Sequence, residues 1–533
     1  MARPLAQRGV AASSRETLYN GIVLGSPWPP RLKYVNQHPV LPPYLASPPE
    51  IIPIDVGRQL FVDDFLIEET NLQRVWHHAT YHPSNPLLRP EMEWEGLRTP
   101  YPSAMVFSDG VFFEPRERLF KMWYMGAYGT NTCLATSTDG VTWTRPRFDV
   151  VAGTNIVSTA VRDSSTVWLD QFEKDPRRRY KAAWFYNDAL EMSISADGIH
   201  WRFVDRTPFV YDRSTFFYNP FRRVWCFSLR DIPSRASTAD RFRSYWETRE
   251  FAVDDGWNGT PPVAWVNIDS HDFTIPGEPG APQLYNVDCV AYESLVLGLF
   301  SVWRGEPGSR EKVSEIVLGY SRDGFHWHRP DRGSLIPVSD MPGSWNWANV
   351  QSAGGGCLIV NNALHFYVSG RTGVAGTSAP GVCSTGLATL RRDGFASLDW
   401  SPSGGGPVRQ LPGWTVGMVM TRTVTFSGAH LFVNADLNGG ELRAELLDRE
   451  GRVIEAFSRD RCLPLRESGT RQRVTWPAAS LASVAGTPVR FRFTLTAGSL
   501  YAFWVTDSPR GHSNGYPAAG GPEFTGPIDH AAG

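Results

Sequence analysis

Two short segments set an acidic residue beside an arginine: Arg162-Asp163-Ser164-Ser165 and Asp212-Arg213-Ser214-Thr215. A third, Tyr285-Asn286-Val287-Asp288, places a carboxylate in a strand-like run, and Trp347-Ala348-Asn349-Val350-Gln351 offers amides and an indole. Paired carboxylates perform general acid–base and nucleophilic work, one donating a proton and the other acting as nucleophile or base. Guanidinium groups take carboxylate or phosphate bidentately, so Arg230, Arg304 and Arg371 either neutralise the aspartates or hold an anionic group. This chemistry needs elements that bring residues more than a hundred positions apart to one place.

An internal repeat supplies them. Ser137-Thr138-Asp139-Gly140-Val141-Thr142-Trp143 recurs as Ser195-Ala196-Asp197-Gly198-Ile199-His200-Trp201 and as Ser321-Arg322-Asp323-Gly324-Phe325-His326-Trp327. A shortened copy is Arg391-Arg392-Asp393-Gly394-Phe395, and Asp254-Asp255-Gly256-Trp257 stands where the third copy is due. Asp-Gly makes the tight turn between strands and the tryptophan packs the strand that follows. Ahead of each turn runs a strand, a polar turn and an aromatic-rich strand, as in Phe216-Phe217-Tyr218-Asn219-Pro220 leading to Val224-Trp225-Cys226-Phe227. Five copies of roughly 60 residues predict five four-stranded units, the blades of a β-propeller, with Leu60 to Ile67 as the strand that closes the ring. Inner strands then start at one mouth of the central channel and second strands end there, which gathers Asp163, Asp212, Asp288, Arg230, Arg304 and Arg371.

The 533 residues are 42 % hydrophobic and 13 % aromatic with formal net charge −2, which excludes a disordered chain and gives no reason to expect nucleic acid as a partner. No apolar run is long enough to span a membrane. Glycine (49) and proline (41) make about a sixth of the chain, the mark of many short strands joined by turns. The division expected is a proline-rich arm over 1–50, a propeller over 51–400, a linker over 401–414, a β-sandwich over 415–507 and an irregular tail over 508–533. The six cysteines form no Cys-x-x-Cys pair and read as buried thiols. Met1 to Ser14 lacks the apolar core of a signal peptide, so a cytoplasmic location is expected.

An all-β chain with a five-bladed propeller, Asp-Gly-x-x-Trp turns and a following sandwich resembles the invertase/levanase and arabinanase group of glycoside hydrolases. Arg162-Asp163 is similar to the start of that group's Arg-Asp-Pro motif, with Ser164 in place of proline, and the resemblance makes Asp163 a transition-state stabiliser. Tyr292-Glu293-Ser294 resembles the Glu-Cys segment that carries the acid, although turn alignment puts Glu293 near the far end of its strand and leaves Asp288 better placed. Asp63 and Asp64 resemble the early nucleophilic aspartate by order in the chain. The resemblance implies a glycosidase without redox or organic cofactor; it allows a structural calcium in the channel, which no motif in the sequence marks.

The catalytic candidates are therefore Asp163, Asp288, Glu293, Asp212 and Asp64. Arg162, Arg213, Arg230, Tyr285, Asn286, Arg304, Asn349, Gln351 and Arg371 are expected to line the substrate site, with Trp345 and Trp347 as stacking platforms. His77, His78 and His82 read as surface residues rather than a metal site, and Gly511-His512-Ser513-Asn514-Gly515 lacks the strand–turn–helix setting of a nucleophile elbow. Two enzymatic rivals keep the fold: a glycoside phosphorylase and a sialidase-like enzyme, both using arginines for an anion. The rival from another class is a non-catalytic carbohydrate-binding propeller.

Overall fold

Runs of Val, Ile, Phe, Tyr and Trp broken by Asp-Gly, Asn-Pro and Gly-rich turns fold into antiparallel hairpins almost throughout. The computed structural model describes residues 15–32, 38–232, 241–257, 259–305, 308–401 and 416–530. Only two single-turn α-helices, Pro43–Ala46 and Asp254–Trp257, and a few 3-10 turns interrupt the strands among these residues.

Five sheets follow one another along the chain. Sheet I contains Ala104–Glu114, Leu119–Gly126, Thr132–Ser137 and Ile156–Ser158. Sheet II contains Ser165–Leu169, Tyr180–Tyr186, Ala189–Ser195 and Arg202–Arg206, and sheet III contains Thr215–Asn219, Val224–Asp231, Phe242–Thr248 and Val263–Val266. Sheet IV is built on Gln283–Glu293, Leu295–Trp303 and Ser314–Ser321. Sheet V takes Asn349–Ser352 and Leu358–Val360 beside Ala363–Arg371, then Cys383–Arg391. The first strands of sheets I to IV lie side by side in sequence order, and sheet V returns to the first strand of sheet I. Those of sheets I, II, IV and V are buried along their whole length, as innermost strands must be.

The repeated turns are alike in detail. In each, the Asp carboxylate (Asp139, Asp197, Asp323) accepts the backbone N–H groups two and three residues on, and the preceding Ser hydroxyl accepts from the Gly N–H. Glycine is required there: Gly198 has φ +79°, and a Cβ would meet Trp123 at 2.5 Å. In sheet III the same place between third and fourth strands holds the helical turn Asp254–Trp257, whose Trp257 packs on Trp246 at 5.0 Å.

The outer strand of sheet V is Thr80–Tyr81, paired with Cys383–Arg391. Leu60 to Ile67, expected in that role, goes elsewhere. Gln59–Leu60 pairs with Gly498–Thr506 and Ile67–Thr70 with Gly417–Thr421. The physical reason is that Phe61, Phe65, Leu66 and Ile67 fill a second core with Phe491, Phe493 and Phe503. Two sheets face that core. One runs Gly469–Val474, His430–Asp436, Gly498–Thr506, Ala396–Trp400 and Gln73–Trp76, the other Leu442–Leu447, Arg490–Leu495, Gly417–Thr421 and Ile67–Thr70. Leu18, Ile22, Leu24 and Tyr44 from the proline-rich arm join the same core, while residues 402–414 of the expected linker lie outside the described residues. The segment after Ser508 is irregular but docked: Tyr516–Pro517 pairs with the end of Gln283–Glu293, and backbone hydrogen bonds from Ala519 and Gly520 reach Phe113, Cys357 and Ile359.

Candidate active site

Register decides what shares the mouth, the end at which the first strands begin and the second strands finish. Ala104 pairs with Gly126, Ser165 with Trp184, Thr215 with Ser228, Gln283 with Trp303 and Asn349 with Arg371. The loops before the first strands deliver Arg162 and Asp163, and Asp212 and Arg213.

Ser108 is the hub below this mouth. It lies in a bulge of the first strand of sheet I with φ +62° and is fully buried. Its hydroxyl donates to Asp288 Oδ2 (2.9 Å) and accepts from Arg213 Nη2 and Asn286 Nδ2, both at 3.1 Å. Ser352 donates to the same Asp288 oxygen at 2.5 Å, so the carboxylate is aimed by two hydroxyls from sheets I and V. Arg213 lies over the Phe107 ring at 3.9 Å. Burial lowers its proton affinity, although Tyr285, Asp288 and Asp163 act in the opposite sense. Asp163 is half-buried, its N–H bonded to Phe185 O, and its Oδ1 is buried without a hydrogen-bond partner. Asp163 and Asp288 thus both act on one guanidinium, that of Arg213.

The other candidates divide. Asp212 is ion-paired with Arg230, which also lies over Tyr211. Arg162 gives both Nη atoms to the buried Asp109. Arg371 pairs with Glu311 at 3.0 Å between the rings of Phe107 and Tyr128, whose exposed edge stands at the rim. Asn349 accepts from Gln351 Nε2, and Gln351 Oε1 is buried without a partner. Tyr285 is buried against Trp303.

Five candidates do not join this group. Glu293 sits at the opposite end of its strand, bonded by Arg58, Arg392 and Ser513 in a buried ionic cluster with Asp393 and Asp529. Asp64 is 73 % exposed and pairs with Arg74 beside the second core. Arg304 turns to Glu315 (3.3 Å), Ser334 and the Phe273 ring. Trp345 is a packing residue, since a Cβ on Gly370 or Gly386 would come within 2.3 and 2.2 Å of its ring. Trp347 is likewise enclosed, 8 % exposed with Arg310 over it. The three histidines separate: His77 bonds Ser397, His78 bonds Asp331 and His82 accepts from Ser84. No group of three or more metal-ligating side chains occurs among the described residues.

No family model matches the chain, and no curated protein matches it. Solved structures do. It is similar at 14 % identity to an N-acetylgalactosamine deacetylase from F. plautii in complex with blood group B trisaccharide, covering 61 % of this chain and 96 % of that one, TM-score 0.40. It is similar at 10 % identity to an exo-β-1,3-galactanase from Phanerochaete chrysosporium with galactose, covering 75 % and 96 %, TM-score 0.34. A β-fructofuranosidase from Schwanniomyces occidentalis complexed with fructosyl-erythritol matches at 12 % identity over 80 % and 98 %, TM-score 0.36. At these identities the likeness is one of fold alone.

Ser108, Asp109, Arg241, Arg243 and Glu311 escape a reading of the sequence. Ser108-Asp109-Gly110 looks like one more hairpin turn, whereas it is a bulge inside a continuous strand that carries two polar side chains inward. The signal was its position: an Asp-Gly flanked by apolar residues with no tryptophan three residues on.

Proposed function

We propose that the five successive sheets are the blades of a five-bladed propeller, that the two sheets around the second core form a β-sandwich, and that the mouth of the propeller is the active site of a glycosidase. One observation carries the reading. Buried polar atoms without a protein partner concentrate at this mouth, among them Asp163 Oδ1, Thr166 Oγ1, Arg213 Nε and Nη1, Trp303 Nε1 and Gln351 Oε1. Buried polar groups are ordinarily hydrogen-bonded, so a cluster of such atoms is a surface prepared for a ligand rich in hydroxyl groups.

Asp288, aimed by Ser108 and Ser352, is oriented as nucleophile or base. In this reading Asp163, whose Oδ1 has no hydrogen-bond partner, exchanges a proton with the leaving oxygen. This reading requires the Asp163 and Asp288 carboxyl groups on either side of the scissile bond, and their separation would decide between retention and inversion. The test is turnover on a panel of aryl glycosides and polysaccharides. Asp163→Asn and Asp288→Asn are expected to lower kcat by about 10²–10⁴-fold with unchanged melting temperature. A second reading, a non-catalytic carbohydrate-binding propeller, is favoured by the Asp212–Arg230 pair, which ties up one rim carboxylate. It requires binding that survives both substitutions and no hydrolysis by the parent protein.

A further inference from the structure

Four of the five arginines that the sequence singled out are matched by carboxylates: Arg162 by Asp109, Arg230 by Asp212, Arg304 by Glu315 and Arg371 by Glu311. Three others are not. Arg213, Arg241 and Arg243 make no ion pair among the described residues. Arg213 and Arg243 are both fully buried. Arg243 gives Nε to Ser228 Oγ and Nη2 to the carbonyl of Arg213, and its Nη1 has no partner. Arg213 uses only Nη2, on Ser108, leaving Nε and Nη1. Arg241 is stacked over Tyr285 at 5.0 Å and Trp303 at 4.9 Å, with Nε and Nη1 unpartnered. It opens onto a cavity of about 330 Å³ lined also by Asn267, Asp269, Asp272 and Gln283. That is the size range of small-molecule sites. The two aspartates there are already held by Arg329 and Arg332.

Around Tyr285 the charges therefore do not balance. Five guanidinium groups (Arg213, Arg230, Arg241, Arg243, Arg371) meet four carboxylates (Asp163, Asp212, Asp288, Glu311), of which two are taken by Arg230 and Arg371. Buried charge that lacks a partner is costly, and proteins keep it where a ligand of opposite sign completes the pair. Aromatic faces under Arg241 hold its planar fork in one orientation, which is the preorganisation that oxyanion recognition needs.

We propose that the substrate of this site is an acidic carbohydrate, with a carboxylate or sulfate on the sugar seated against Arg213 and Arg241. The inference rests on the glycosidase reading for the site but concerns which sugar enters it. An oxyanion there takes up the guanidinium charge that faces Asp163 and fills the donor positions that a neutral sugar hydroxyl would meet less strongly.

The test is calorimetric titration of the full chain with D-glucuronate, D-glucose, sulfate and inorganic phosphate. D-Glucuronate is expected to bind at least about tenfold more tightly than D-glucose, with an advantage that shrinks as salt rises. Arg241→Gln, at a half-buried position, is expected to lower D-glucuronate affinity by about ten- to a hundredfold while leaving D-glucose binding and the melting temperature unchanged. Arg213→Gln is expected to lower D-glucuronate affinity as well if it folds, and Arg241→Gln decides the matter if it does not. Sulfate competing with D-glucuronate supports the oxyanion seat. Equal affinity for the two sugars overturns the inference, and so does tight phosphate binding without any preference for D-glucuronate, which would make phosphate a co-substrate instead. Hydrolysis of neutral glycosides that is lost in Asp163→Asn, with no acidic preference, would sink this inference and keep the glycosidase. An Arg241-dependent acidic preference without hydrolysis would do the reverse.

Discussion

Asp63→Ala tests whether the early aspartates belong to catalysis or to architecture. Asp63 is 1 % exposed and meets Arg322, 2 % exposed, through three contacts: Nε to Oδ2 and Nη2 to Oδ1 at 2.8 Å, and Nε to Oδ1 at 3.1 Å. Burial acts against the Arg322 charge, and Asp63 more than offsets it, leaving the guanidinium above its ordinary range. Arg322 belongs to the repeated turn of sheet IV, and Asp63 to the segment that feeds the second core, so the pair clamps one body to the other. Hydrogen bonds to charged groups contribute about 1.5–3 kcal/mol each, and removing one partner of a buried pair costs about 3–5 kcal/mol because the other charge is stranded. For 533 residues unfolding as one unit, about 2.1 cal/mol/K per residue gives roughly 1.1 kcal/mol/K, so the melting temperature should fall by about 2.7–4.5 °C. Asp63→Leu with Arg322→Met should recover most of the loss, since a buried pair exchanged for apolar side chains is close to neutral. Calorimetry reads both, and turnover per folded molecule should be unchanged in each. A melting temperature within about 1 °C of the parent for Asp63→Ala, or a double variant no better than the single, refutes the clamp.

Asp64→Asn, on an exposed pair with Arg74, should change stability by less than about 0.5 kcal/mol and leave turnover alone, as thermal melting and the glycoside panel will show. Trp345→Ala should cost about 3–5 kcal/mol in denaturant unfolding and leave carbohydrate affinity intact, whereas lost affinity at full stability would restore Trp345 as a platform. Against partial burial, backbone N–H groups at Asp139, and the His200 imidazole together with backbone N–H groups at Asp197, hold the two carboxyls down to about 2. Their contribution is complete above about pH 4 and lost as pH falls through about 2, so fluorescence-monitored stability should drop across that window and drop less in Asp139→Asn. Ser352→Ala frees one of two donors to Asp288 and should lower kcat/KM by about ten- to a hundredfold in steady-state assays.

The repeated Ser-x-Asp-Gly turns made the sheet-by-sheet order legible, because local hydrogen bonds within seven residues build the turn and the tryptophan reports the strand beyond it. The grouping of Asp163, Arg213 and Asp288 was legible for the same reason: all are placed by register from those turns. What was hidden depends on pairing across hundreds of residues. Nothing in Leu60 to Ile67 states that its apolar residues belong beside Phe491 and Phe503 rather than beside sheet V. The bulge at Ser108 is also invisible in pattern, since a bulge and a hairpin turn use the same dipeptide. Partnering of arginines is harder still. Arg304 and Arg213 are both site candidates in the sequence, yet Glu315 pairs with the first and, among the described residues, no carboxylate forms an ion pair with the second.

The segment from Ile52 to Tyr81 reaches partners in Cys383–Arg391, Gly417–Thr421, Val424–Thr425 and Gly498–Thr506. During synthesis at roughly 5–20 residues per second, the ribosome needs on the order of 15–60 s to make the 300-odd residues between this segment and its first partner. Through that interval Phe61, Phe65, Leu66 and Ile67 have left the exit tunnel with only Leu18, Ile22, Leu24, Tyr44 and their near neighbours of the second core to pack on. Both bodies are therefore finished late and together, and a fragment that stops short of residue 383 leaves sheet V without its body and the early aromatics without shelter. Nascent chains of this protein are natural clients for chaperones that shield aromatic segments, and vectorial domain-by-domain folding is closed to them by topology.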